Sequence, residues 1–139
     1  MWLIGKLHPM LVHFPIGLVL AAAGAEIIAI HTGRPAWRTI AVANVRVGAA
    51  MGAITAVAGW ALASAPFVEP DRLLTWHRWT GLAAALSAIG AALASRWSQA
   101  PSGRTALVYR TALFGAAALV AIAGHLGATL VWGADFLRP

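Results

Sequence analysis

Residues 9–30 read PMLVHFPIGLVLAAAGAEIIAI, with prolines and a histidine near the start and one carboxylate, Glu26, near the end. A helix needs about 20 mostly apolar residues to cross the hydrocarbon core of a bilayer, and this stretch is long enough. Three more runs of the same character follow, over about 40–65, 76–95 and 106–132. The connectors between them are short and carry turn residues: Gly33 and Pro35, then Pro66 and Pro70, then Pro101 and Gly103. Short connectors make successive helices antiparallel. The expected fold is all-α, an integral-membrane up-down-up-down four-helix bundle forming one domain over residues 1–139 with no soluble appendage.

Composition agrees. Of the 139 residues 60% are hydrophobic and 10% charged, with a mean hydropathy of +0.78. Soluble domains carry about 25% charged residues, so this chain lacks the polar surface to face water. The absence of cysteine excludes disulfides, iron–sulfur clusters and covalent c-type haem attachment. The net charge of +6 comes from arginines at the ends of apolar runs, a placement that suits lipid headgroups rather than nucleic acid. The N-terminal stretch has a single side-chain cation, Lys6, and a long apolar run with two histidines and two prolines. It is expected to remain as the first span rather than be cleaved as a signal.

Orientation follows from the cations flanking the spans. Arg34, Arg38, Arg96, Arg104 and Arg110 lie on one side, with Arg46 adding to them. Lys6, Arg72, Arg78 and Arg138 lie on the other, beside Glu69, Asp71 and Asp135. This predicts a multi-pass membrane protein with both termini and the second connector outside the cytoplasm. Trp76, Trp79 and Trp132 then fall in the outer interfacial belt. Spans two to four are rich in alanine and glycine, which lets helix backbones approach closely.

Histidine is costly in hydrocarbon, and four of the five, His8, His13, His77 and His125, are expected in the outer half and toward one face. Pro9 opens a first turn behind His8, and His13 lies roughly 7 Å deeper at 1.5 Å per residue. His77 begins the third span, and His125 lies about 10 Å inward from Trp132. The segments His13–Leu18 and His77–Leu82 share the pattern H-x-x-x-G-L. Glycine one turn after histidine, and Gly124 and Gly127 beside His125, leave room for a flat ring. A neutral imidazole offers one nitrogen to a metal while the other donates a hydrogen bond. Two imidazoles from facing helices would clamp haem iron axially and leave no open position, which favours electron transfer.

His13 opposite His125 is the expected inner axial pair, with His8 and His77 as a shallower pair holding a second haem or nothing. Pairing of His13 with His77 is the alternative. Arg72 and Arg78 would bind haem propionates by charge-assisted hydrogen bonds. Glu26 and Arg46, at similar depth on adjacent antiparallel spans, are expected to form an ion pair, with a proton or quinone site as the other reading.

The run Leu7–Leu18 (LHPMLVHFPIGL) closely resembles the opening of the domain-of-unknown-function 2231 family of small bacterial four-span proteins. The His77 segment and Gly124-His125-Leu126-Gly127 resemble that family's later histidine motifs, so the resemblance covers essentially the whole chain. The family has no established activity. Association of some members with Rieske-type or c-type cytochrome domains implies a redox partner at the outer face. The chain departs from the pattern at Ala128 and Trp132, where glycine and tyrosine are expected. The function expected is that of a b-type cytochrome-like electron-transfer subunit with one haem b or two, a subunit of a larger complex rather than a stand-alone enzyme. Two alternatives are a zinc or copper site, with Met10 the only methionine near the outer face, and a non-redox anchor or assembly subunit.

Overall fold

The computed structural model describes residues 2–97 and 103–136; Pro101 and Arg138 lie outside the described residues. Six helices follow in order: α1 (Trp2–Gly5), α2 (His8–Leu11), α3 (His13–Thr32), α4 (Pro35–Ala63), α5 (Arg72–Ala94) and α6 (Arg104–Trp132). The first three form one nearly continuous apolar rod, Leu3–Thr32. Pro9 and Pro15 remove backbone donors along it, and the ladder is stitched through Val12, whose N–H donates to His8 O at 3.0 Å.

That rod, α4 and α6 are each long and apolar enough to cross a membrane. The fourth long helix, α5, carries His77 and Arg78 in its opening turns, which lowers its hydropathy, although it is continuous to Ala94. Asp71 caps α5 by accepting the Arg72 N–H at 2.6 Å, satisfying one donor that the helix start leaves open. At the C-terminus of α3, Gly33 takes φ +65° and its N–H returns to Ala29 O at 3.0 Å. A β-carbon there has open space around it, but a left-handed φ crowds it against its own backbone carbonyl, so Gly33→Ala is expected to lower stability by about 1 kcal/mol, read as a drop in Tm in detergent.

The long helices pack as a ring: α3 on α4, α4 on α5, α5 on α6 and α6 back on α3. The core between them is mostly alanine, with Val19, Ala49, Ala84, Ala88, Ala116 and Val120 in one cluster. A second cluster holds Val45, Tyr109 and Leu113, where the bundle needs larger side chains. Small residues close the gap between helices, and dispersion rather than water exclusion then holds them together.

The buried positions repeat. Pro15, Val19, Ala22 and Glu26 along α3 are matched 69 residues later by Ala84, Ala88, Ala91 and Ser95. Ala41, Val45, Gly48, Gly52 and Thr55 of α4 are matched 68 residues later by Tyr109, Leu113, Ala116, Val120 and Ala123 of α6. The two hairpins, α3–α4 and α5–α6, therefore present the same faces to a shared centre, an approximate two-fold arrangement. The H-x-x-x-G-L pattern aligned His13 with His77; the buried faces instead make His8 the counterpart of His77.

Candidate functional site

The two histidines on this approximate two-fold axis are held alike. His8 Nδ1 lies 3.0 Å from Thr55 O on α4, and His77 Nδ1 lies 3.0 Å from Ala123 O on α6. A carbonyl only accepts, so each Nδ1 carries the proton and each ring keeps its lone pair on Nε2. Both residues are half-buried. Their ring centroids are 6.1 Å apart with the planes at 78°.

One turn beyond each carbonyl stands a glycine against the ring. A β-carbon on Gly59 would lie 2.7 Å from His8 Cε1, and one on Gly127 would lie 3.0 Å from His77 Cε1. Gly127 was expected to open space beside His125, but it backs the His77 ring, and Gly124 faces Ile16. Gly59→Ala is expected to push the His8 ring off its carbonyl and cost about 1–3 kcal/mol, with Gly127→Ala milder. Thermal unfolding of the detergent-solubilised protein reads both.

The expected convergence of four histidines reduces to these two. His13 is exposed, with Nδ1 3.3 Å from Met10 O in its own turn. His125 is exposed and its ring lies 5.9 Å from that of Phe136. The reason is helical phase. At 3.6 residues per turn, five residues carry His13 about 140° around from His8. His125 is likewise turned about 160° from Ala123, the position that faces His77. Among the described residues no group of three or more His, Asp or Glu is placed to hold one metal ion.

Around the pair, the Arg78 guanidinium lies 3.8 Å above the Trp60 ring, a cation–π contact. Trp60 in turn meets Trp79 edge-on at 5.5 Å. The buried Nε of Arg78 and the buried hydroxyl of Thr55 have no hydrogen-bond partner. Buried donors are seldom left so in a finished site. Trp76, Trp79 and Trp132 are largely exposed at this end. Arg72 is exposed at the start of α5.

These residues fit a haem iron held between two imidazoles. With metal–nitrogen bonds near 2.0–2.1 Å, His8 and His77 holding one metal between them would have ring centroids about 6 Å apart, close to the 6.1 Å seen here. Protonated Nδ1 atoms bonded to carbonyls are the outer partners that ligating histidines ordinarily have. The unpartnered Arg78 Nε supplies a donor for a carboxylate.

At the opposite end, Glu26 is fully buried and accepts Arg38 Nη1 at 2.9 Å and Arg110 Nε at 2.8 Å. Arg46, expected to pair with Glu26, instead donates Nε to Ser95 Oγ at 3.1 Å. The cause is where α4 begins. It starts at Pro35 rather than near residue 40, so Arg38, read as part of the connector, is helical and reaches Glu26, while Arg46, two turns later on α4, reaches Ser95 of the neighbouring helix end.

No curated protein and no solved structure matches the chain. The profile of one family, described as predicted membrane proteins, matches residues 6–136. The chain belongs to the domain-of-unknown-function 2231 family of predicted membrane proteins.

Proposed function

We propose that the chain is a b-type cytochrome-like electron-transfer subunit of a bacterial inner membrane, with His8 and His77 as the axial ligands of one haem b. In this reading α5 also crosses the bilayer, giving a four-span up-down-up-down bundle whose two termini and histidine end face outward. The observation that carries it is the matched pair of imidazoles, each with Nδ1 donating to a carbonyl of the neighbouring helix and Nε2 left as a ligand atom. Bound haem would supply reversible one-electron chemistry without an open coordination position.

The protein's own groups do the rest. Thr55 O and Ala123 O fix tautomer and ring plane, and Gly59 and Gly127 let the rings lie close against the helices. Arg78, with Arg72 at the rim, offset propionate charge. Trp60 lies under the Arg78 guanidinium and meets Trp79 edge-on, which holds that guanidinium at this end. The outer-face partner in this reading is a Rieske-type or c-type redox protein, with a quinone or a larger complex on the membrane side. His13 and His125, exposed on α3 and α6, take no part in this reading.

A non-redox anchor is the second reading, because bonds from His8 and His77 to carbonyls also cross-link the two halves of each hairpin. Absorption spectra of the purified protein separate the readings. Sharp bands on reduction, with haem b in a pyridine extract, support the cytochrome. A colourless protein with bound zinc or copper points to a metal site, and a colourless metal-free one to the anchor.

A further inference from the structure

The two-fold arrangement of the hairpins leaves one charge unmatched. Arg110 of α6 donates Nε to the buried carboxylate of Glu26 on α3. At the equivalent interface, Arg46 of α4 donates Nε to position 95 beside α5, the counterpart of Glu26, and there a serine stands. The arginines correspond by face, one helical turn apart in register. In one half the guanidinium meets an anion of the protein; in the other it meets a neutral hydroxyl, whose own proton goes to Ala92 O at 2.7 Å.

Ser95 fixes one edge of the Arg46 guanidinium, and among the described residues no hydrogen-bond partner meets its terminal amino groups. Arg46 borders a groove of about 450 Å³ between α4 and α5. Arg96 borders the same groove, and Ala49, Ala50, Ala53 and Leu93 form its apolar walls. Both arginines are exposed, and neither has a carboxylate partner among the described residues. Trp97, 66% exposed and adjacent to Arg96, marks this level as the membrane interface. A guanidinium at the edge of hydrocarbon is costly unless an anion meets it, and paired arginines match the fork geometry of a phosphate.

We propose that Arg46 and Arg96 bind the phosphate of an anionic phospholipid, whose acyl chain lies along the alanine wall of the α4–α5 groove. The lipid supplies the charge that Glu26 supplies on the other side of the bundle. This rests on α5 lying in the bilayer, and it is independent of haem.

The test places the purified full chain in nanodiscs of equal phosphatidylglycerol and phosphatidylcholine, then counts the lipids retained after release by native mass spectrometry. Wild type is expected to retain phosphatidylglycerol over phosphatidylcholine by roughly tenfold. Arg46→Gln with Arg96→Gln is expected to abolish that preference. Ala50→Phe, which fills the groove and leaves both guanidinium groups, should reduce it as well. Equal retention of the two lipids by wild type, or a preference unchanged in either variant, overturns the proposal. Inorganic phosphate binding in place of the lipid overturns it too. Pigment content, measured on the same samples, reports separately on the cytochrome reading.

Discussion

Replacing His8 or His77 with alanine is expected to abolish haem binding, while His13→Ala and His125→Ala leave most of the pigment in place. Loss of an outer hydrogen-bond partner of a metal ligand costs roughly 10- to 100-fold in affinity, and loss of the ligand itself should exceed that. The contrast follows from geometry. His8 and His77 face each other at 6.1 Å between ring centroids, whereas His13 and His125 are exposed and turned outward. The measurement is haem per protein from pyridine extracts of each variant, purified in parallel with thermal melts to exclude simple misfolding. Full pigment in His8→Ala and His77→Ala with loss in His13→Ala and His125→Ala would move the site to the outer pair of positions. A single-ligand variant such as His77→Met should bind haem with an altered spectrum, which a helix cross-link would not produce.

Removing the charge of Glu26 should have the largest effect on stability. Its carboxylate is fully buried and joins three helices, α3 by its own backbone, α4 through Arg38 and α6 through Arg110. Glu26→Gln leaves two guanidinium groups facing each other with no counter-charge. Breaking a buried pair in this way costs about 3–5 kcal/mol. The arginine side chains retain 15% and 26% exposure, so the lower part of that range applies. Arg38 also lies 5.1 Å over the Tyr109 ring, and that contact survives the substitution. Adding Arg110→Gln to Glu26→Gln should recover part of the loss, because one unmatched charge leaves with it. Unfolding in a graded detergent mixture measures both. A loss below about 1 kcal/mol for Glu26→Gln would mean that the network behaves as an exposed surface pair.

These two tests bear on opposite ends of the bundle and on different residues, so the outcomes do not constrain each other. Stability lost in Glu26→Gln with pigment retained would show that the arginine end holds the fold and the histidine end the cofactor. Such a division suits a small bundle. Its alanine core brings the helices close but contributes little apolar area per residue, so the charged and hydrogen-bonded contacts carry more of the specificity.

Composition and run length alone determined that this chain is a membrane protein built of long apolar helices, because hydrocarbon tolerates little else. They also put His8 and His77 near one end and Glu26 and Arg46 toward the other. Helix starts were less legible. α4 begins at Pro35 because proline suits a first turn, although Gly33 and Pro35 made that segment read as a connector. Only the tertiary structure decided which side chains meet. His8 and His13 lie in one motif, yet helical phase turns the first inward and the second outward. The two-fold relation was hidden because equivalent positions carry unlike residues, Glu26 against Ser95, Ala41 against Tyr109 and Thr55 against Ala123. Their likeness is one of position around a shared axis, and a linear sequence does not record which faces of separate helices come to lie together.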